Sequence, residues 1–437
     1  MRPFLNFRLF RKFFRMSDVA ANAQAGQMMT ADGIPLKKSL KASLRREKLR
    51  AFGLVAGPAL FILILFVWPI YALFQKSIDD SFVNDVLPRT MAIYEQWDGV
   101  DLPGEPHFEA MYLDLTSAEK LEIGKVSTRM NYAKSGWKSL IKKSNRKFKK
   151  IDAEQPIQPQ MIKADKRWGD VEFWKSLGIM KDRTTAGYYW NAIDRTYDDK
   201  KNVIMQPENR RVYVMFWKRT LLVSTIVTIA CLVLAFPVAY LLATLPLRIS
   251  NLLMICVLMP FWTSLLVRIV AWMIMLQQQG VLNDSLVGLG IISDENRLPL
   301  MYNFNGTLIV MTQVLLPFMI LPLYSVMRGI PPTYMKAAQN LGATPARAFI
   351  RVYMPQTIPG IGAGVILVFI VAIGYFITPE LVGGKDGQMI GNQIAYHLRK
   401  SLNWGLASAM GVILLSAILI LYWVYDKIVG IDNMRLG

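Results

Sequence analysis

Residues able to do covalent or metal chemistry are scarce in this 437-residue chain, and their spacing suits neither. There are two histidines, His107 and His397, and two cysteines, Cys231 and Cys256, with no CxxC or Cys/His spacing. A disulfide framework and a structural zinc site are therefore not expected. No GxxxxGK[ST] stretch occurs, so the chain does not bind ATP in the P-loop manner. The residues with a usable pattern are mechanical ones: Pro331-Pro332-Thr333-Tyr334-Met335-Lys336-Ala337-Ala338, then Leu341-Gly342-Ala343-Thr344-Pro345, Arg347 and Arg351, and Val352-Tyr353-Met354-Pro355. Local rules make two short helices of them. Pro332 suits a first helical position and Gly342 a left-handed C-terminal cap. Thr344 can cap the next helix, with Pro345 at its first position and Pro355 ending it. The expected product is a rigid helix–turn–helix elbow whose small residues allow close contact with another protein. A second set lies in apolar surroundings: Arg268, Trp272 and Tyr375. A charge at membrane depth is a functional candidate by default, against a plainer role bonding a neighbouring carbonyl. The rings could hold an ammonium with ~0.5–2 kcal/mol each, or simply pack.

The elements that must position these residues are membrane helices. The chain is 53% hydrophobic and only 19% charged, where soluble proteins have about 25% charged residues. Six segments reach the ~20 apolar residues that a ~30 Å hydrocarbon core requires: 54–74, 220–244, 252–276, 307–327, 361–378 and 406–425. Pro69, Pro237, Pro260, Pro317 and Pro322 interrupt several of them. Each removes one backbone donor, which a bundle tolerates where neighbours or water satisfy the freed carbonyl.

Short loops give the orientation. Arg248 stands without an acid between the second and third spans, as do Arg328, Lys336, Arg347 and Arg351 over 328–360. On the other side, 277–305 has Asp284, Asp294 and Glu295 against Arg297. Positive loops stay in the cytoplasm, so both termini are expected there and 77–211 outside. Ten Lys/Arg without an acid from Lys125 to Lys150 do not overturn this, because loops longer than ~60 residues translocate regardless of charge.

The net charge of +19 divides unevenly. Residues 1–50 contribute +9, residues 77–211 only +2 from 23 basic and 21 acidic residues, and the remainder +8. No basic stripe joins a nucleic-acid fold signature, so neither DNA nor RNA is expected as a partner. The 1–50 arm places Arg8, Arg11, Lys12 and Arg15 opposite Phe7, Leu9, Phe10, Phe13 and Phe14, the pattern of an interfacial helix on anionic lipid. The alternative is translation from Met16. Nothing before Leu54 has the ~7–15-residue apolar core of a cleavable signal.

Residues 77–211 are the one soluble-like segment large enough to hold a core. Trp97, Trp137, Trp168, Trp174 and Trp190 argue against disorder throughout, and helices are expected over 117–148 and 171–179. With no phosphate loop, metal spacing or nucleophile elbow, this insertion reads as a docking surface or collar. Its acidic start could attract a cationic solute, though a solvated charge run is the commoner explanation.

The elbow resembles the EAA loop of ABC-importer permeases: Glu-Ala-Ala, three residues, Gly, nine residues, then Ile-x-Leu-Pro. Ala337-Ala338, Gly342 and Val352-x-Met354-Pro355 keep that spacing, and Lys336 stands where the family has glutamate. Pro260 to Trp272 with Gly280-Val281-Leu282-Asn283, and Gly374-Tyr375 through Glu380 to Gly384, are similar to the third and fifth spans of spermidine/putrescine permease B-type subunits. Tyr375 replaces an acid common there. The similarity covers 50–76 and 212–437.

The resemblance implies an all-α membrane protein, six transmembrane helices of the type I ABC importer kind with a large periplasmic insertion between helices 1 and 2. Its parts would be a basic arm (1–50), helix 1 (51–76), the insertion (77–211), and helices 2–6 (212–437) with the coupling loop at 328–360. Lys336, Ala337, Ala338, Gly342, Thr344, Pro345, Arg347, Arg351 and Pro355 would meet the ATPase, and Arg268, Trp272, Tyr375 and Glu380 would line the substrate path. The chain would be no enzyme and hold no metal or cofactor. Its partners would be two ATP-binding subunits that bind ATP and Mg, a second, C-type permease, and a periplasmic solute-binding protein. All this would sit in a bacterial inner membrane. The implied solute is a polyamine; related permeases carry opines, amino-acid derivatives, phosphonates or iron. A secondary transporter would need mid-membrane ionisable residues that these spans nearly lack, and a channel would need no elbow.

Overall fold

The computed structural model describes residues 36–148, 151–152, 154–198 and 201–429. The amphipathic stretch expected at 7–15 lies outside them. Contacts divide the chain between Ala72 and Leu73 into two units.

The described part of the first unit is one long helix. It runs over Leu36–Ile62, passes through a five-residue π turn at Leu63–Val67 and continues as Trp68–Ile78, whose last six residues belong to the second unit. Over Ser43–Ile78 it is long and apolar enough to cross a membrane, with mean hydropathy 2.4. Leu54, Phe61, Phe66 and Trp68 are all exposed, which costs little in lipid and would be prohibitive in water. The π turn has a cause in sequence. Pro69 has no N–H to return to the carbonyl four residues back. A π turn shifts the ladder by one residue, with Trp68 N–H reaching Leu63 O, so the next donor can serve that carbonyl.

In the second unit, the insertion forms a helical body with its own core. Phe108, Trp137, Trp168 and Trp174 are fully buried. Each indole N–H finds an acceptor: Trp137 on Ser176 Oγ at 2.8 Å, Trp168 on Ser144 Oγ at 2.7 Å, and Trp174 on the Trp168 carbonyl at 3.0 Å. A buried indole removes ~200 Å² from water, about 5 kcal/mol gross at ~25 cal/mol per Å², and the entropy of ordering offsets much of the sum. The single helix expected over 117–148 is two, Lys120–Ala133 and Trp137–Phe148. Gly136 turns the chain between them at φ +109°, its N–H bonded to Asn131 Oδ1 at 2.9 Å. Around 171–179 the expected helix is an α-helical turn, Val171–Lys175, followed by a 3₁₀ turn, Ser176–Met180. A hairpin pairs Arg195–Tyr197 with Val203–Met205 in antiparallel register, too small to change the all-α class.

Two devices fasten the insertion to the spans. Asp194, at φ +59°, accepts the backbone N–H groups of Val212, Tyr213 and Val214 at 2.9–3.0 Å. These are orphan donors at the start of the second span, and a carboxylate there also meets the helix dipole favourably. At the sixth span, Leu406, Ala409 and Met410 pack with Tyr188 and Ala192 of the insertion and Phe216 of the second span.

The bundle core lies among the second (Tyr213–Thr244), fourth (Phe304–Arg328) and fifth (Pro345–Ile373) spans. The second contributes Val223, Val227, Cys231, Ala235 and Ala239 at intervals of four, a stripe of small residues facing Met311, Leu315, Met319 and Leu323 of the fourth. Small residues let membrane helices approach where no hydrophobic force drives them together. At Gly360 of the fifth span, a Cβ would stand 3.0 Å from Val326 of the fourth.

Two expected spans need correction. The third is not one helix over 252–276. It is a shorter apolar helix, Leu247–Leu258 with a 3₁₀ extension Met259–Trp262, then Leu265–Leu276, which opens the membrane-length segment Leu265–Gly288. Pro260 removes a donor inside the run and Thr263–Ser264 turn extended. The fifth span ends at Ile373, not 378, and Ile377–Val382 forms a separate short helix. Its other end reaches back to Pro345, because Pro355 does not stop the second elbow helix. A π turn at Phe349–Tyr353, with Met354 N–H on Phe349 O, absorbs that proline as the first span absorbs Pro69.

Candidate coupling elbow and translocation path

The elbow lies at the end of the bundle opposite the insertion. Its first helix is Thr333–Asn340. Gly342 follows at φ +90°, with Ala343 N–H on Ala338 O at 3.1 Å and Gly342 N–H on Gln339 O at 2.9 Å. That pair of bonds is the Schellman arrangement, and it requires a left-handed residue at the glycine. Thr344 then caps the second helix through Oγ1, which accepts Arg347 N–H at 3.4 Å, with Pro345 at the first position.

Lys336, Ala337, Gly342, Thr344, Pro345, Arg347, Arg351 and Pro355 are all exposed, and Ala338 is half-buried. Leu341, at the apex, is 90% exposed. The turn thus presents an apolar tip on the same exposed surface as Lys336, Arg347 and Arg351. Beneath it, Phe349 and Tyr353 stack at 5.4 Å, and Tyr240 of the second span sets its edge against both at 5.4 and 5.3 Å. Arg328, ending the fourth span, donates to the Ala243 carbonyl of the second at 2.8 Å. Sequence reading missed this aromatic triad, although aromatics at 349 and 353 are one helical turn apart and share a face.

The path residues divide into two places. Arg268 and Trp272 sit on Leu265–Leu276, where Trp272, Tyr375 and Ile377 pack with Ile269, Val310 and Val314. Trp272 Nε1 donates to Gln313 Oε1 of the fourth span at 3.0 Å, a polar partner that sequence reading did not single out. Arg268 folds back onto the break in its own span, donating to the Pro260 and Thr263 carbonyls. Among the described residues it has no ion-pair partner, and its Nε is buried without an acceptor. Its guanidinium thus adds a donor at the helix break, where the Pro260 carbonyl also accepts the Thr263 N–H at 3.3 Å and the Thr263 hydroxyl at 2.9 Å. Glu380 is elsewhere: it is exposed and accepts from Asn392 Nδ2 at 2.8 Å, at the start of Ile390–Arg399.

Six helical segments long and apolar enough to cross a membrane, with an ordered, exposed elbow at one end, define a multi-pass membrane protein. The chain belongs to the family described as binding-protein-dependent transport system inner membrane component, which matches residues 220–429. It is 37% identical over 203 residues to the spermidine/putrescine transport system permease protein PotB of Escherichia coli (strain K12), covering 46% of this chain and 73% of PotB. PotB of Haemophilus influenzae is 36% identical over 225 residues, covering 52% of this chain and 78% of that protein. The inner membrane ABC transporter permease protein YdcU of Escherichia coli (strain K12) is 37% identical over 186 residues, covering 40% and 59%. The chain is therefore an ABC-importer permease subunit. The insertion lies outside the family match.

Proposed function

We propose that this permease carries a polyamine of the spermidine/putrescine class, driven by ATP that a separate subunit hydrolyses. The similarity to PotB across most of PotB's length carries this reading. Arg268 turns its guanidinium onto the Pro260 and Thr263 carbonyls of its own span, and Trp272 and Tyr375 beside it supply aromatic rings of the kind that hold an ammonium.

On this reading, two ATPase subunits, which bind ATP and Mg, grip the elbows of this chain and of a homologous C-type permease. A solute-binding protein delivers the polyamine from the side of the insertion, which is the periplasm, and both termini are cytoplasmic. Lys336, Ala337, Ala338, Gly342, Thr344, Pro345, Arg347, Arg351 and Pro355 form the surface that the ATPase grips. Closure of the ATPases tilts the elbow and, through the continuous second helix, the fifth span. The chain itself breaks no covalent bond.

The test is uptake of labelled spermidine and putrescine by cells expressing the chain with its partner genes, in a host lacking other polyamine importers. Uptake that depends on this chain and is competed by unlabelled spermidine is expected. Uptake of an opine or phosphonate with no polyamine competition would refute the solute, and transport by the chain alone in liposomes would refute the coupling.

A further inference from the structure

Where the chain enters the insertion, a cavity of about 560 Å³ opens between the Lys120–Ala133 helix and the turn into the sixth span. One face of that helix lines it, with Lys120, Gly124 and Thr128 at intervals of four beside Leu121, Lys125 and Arg129. Across from it stand Lys76, Leu402 and Trp404. The floor is fixed. Asp80 is buried, held by Arg129 through Nε at 2.7 Å and Nη2 at 2.5 Å, and accepts the Tyr188 hydroxyl at 2.9 Å. Gly405 lies so close to the Tyr188 ring that a Cβ would come within 2.4 Å.

Charge bookkeeping decides what such a cavity accepts. Arg129 is committed to Asp80, and Lys76 to Asp79 at 2.7 Å. Lys120 and Lys125 are exposed and form no ion pair among the described residues. Both lining carboxylates are therefore neutralised and two lysines are not, which disfavours a polycation and favours an anion. The walls favour an anion with an apolar part: Leu121 is 67% exposed and Trp404 54% exposed beside those lysines. Trp404 is the first residue of the sixth span and Lys76 lies in the last turn of the helix Trp68–Ile78. Tryptophan and lysine at span ends are the residues that sit at headgroup level, and a volume of this size fits a headgroup.

We propose that this cavity binds one anionic phospholipid, its phosphate between Lys120 and Lys125 and its acyl chains passing Leu402 and Trp404 along the sixth span. The lipid fills the seam between the insertion and the bundle, so the insertion is seated on the bilayer as well as on the helices.

Native mass spectrometry of the full chain, released from nanodiscs of phosphatidylglycerol or of phosphatidylcholine, tests this. One retained phosphatidylglycerol is expected, and no retained phosphatidylcholine. Lys120→Gln with Lys125→Gln should weaken retention roughly thirtyfold, since each basic residue near anionic lipid contributes about a factor of five and both charges are removed. Gly124→Leu should abolish it without changing charge. No atom lies within 4 Å of where the Gly124 Cβ would stand, so that variant folds and fills the cavity. Added glycerol 3-phosphate should not displace the lipid; displacement at equal concentration would identify a site for a free phosphate ester and overturn the proposal. Wild-type chain that retains no phosphatidylglycerol, or both variants retaining it as the wild type does, would also overturn it.

Discussion

Replacing Gly342 by valine asks whether the shape of the elbow carries the coupling. Gly342 stands at φ +90° under two bonds, Ala343 N–H to Ala338 O and Gly342 N–H to Gln339 O. A Cβ there meets nothing within 4 Å, so the penalty in this chain is backbone conformation and not crowding. A left-handed L residue costs about 1–2 kcal/mol, and β-branching puts valine at the upper end of that range. Relaxing φ to a right-handed value instead gives up both bonds, at ~1 kcal/mol each. Either way the elbow loses about 2 kcal/mol of preference for its observed turn, roughly thirtyfold in population. Alanine loses ~1 kcal/mol, and asparagine, which tolerates the left-handed region, less than alanine. Gly342 itself is exposed and outside the bundle core, so thermal unfolding of the bundle should not move. Solute uptake and co-purification of the ATPase should fall in the order glycine, asparagine, alanine, valine. Full uptake by Gly342→Val would refute the coupling role. An asparagine variant as defective as valine would refute the conformational argument, because it would mean the partner rejects any side chain there.

Three further outcomes are expected. His397 is 3% exposed, with Nε2 facing the Tyr213 hydroxyl at 2.9 Å and Nδ1 facing Ser401 Oγ at 2.6 Å, and burial lowers its pKa from 6.5 to about 4. The unfolded chain therefore binds this proton first. The contribution is complete above the usual value and is lost as pH falls from 6.5 toward 4, on the order of 3 kcal/mol in full; thermal unfolding in detergent should weaken over that window, and less so in His397→Gln. Asp194→Ala strands three N–H groups at the start of the second span, costing about 2 kcal/mol, which hydrogen exchange should report as lost protection at residues 212–214. Arg268→Met should destabilise the broken third span by ~1–3 kcal/mol while leaving the preference for cationic over neutral solute unchanged; an unchanged unfolding temperature with severalfold altered selectivity would place Arg268 on the solute instead.

What the sequence made legible follows from how local each cause is. The elbow's cap residues act through their own backbone, so Gly342, Thr344 and Pro345 sit where helix-terminus rules put them. Span existence was equally local, since hydropathy over ~20 residues sets it. Helix continuity was not. Pro355 reads as a stop and is passed, while Pro260 reads as a kink and accompanies a break, because the outcome depends on whether a π turn can re-register the ladder against its neighbours. The Trp272–Gln313 bond and the packing of Tyr240 on Phe349 and Tyr353 join residues distant in sequence. No window of one sequence contains both partners. The fate of Arg268 was undecidable for the same reason: its carbonyl acceptors exist only once the third span has broken.

The π turn at Phe349–Tyr353 bears on how the proposed stroke is transmitted. A helix that stopped at Pro355 would leave the elbow on a flexible joint, and a push at Leu341 would be spent in that joint. The turn instead keeps the second elbow helix continuous with the fifth span from Pro345 to Ile373. It is also the point where Phe349 and Tyr353 grip Tyr240 of the second span. Force applied at the elbow therefore reaches two spans at one level. The fifth then bears on the fourth at Gly360, where a Cβ would stand 3.0 Å from Val326, so the three helices that share the small-residue core move as a body. The Leu265–Leu276 helix, joined to the fourth span by the Trp272–Gln313 bond at 3.0 Å, is held to that body by a polar contact and a few apolar ones. Relative movement is cheapest where packing is least, and on the proposed function that is the seam where Arg268, Trp272 and Tyr375 meet.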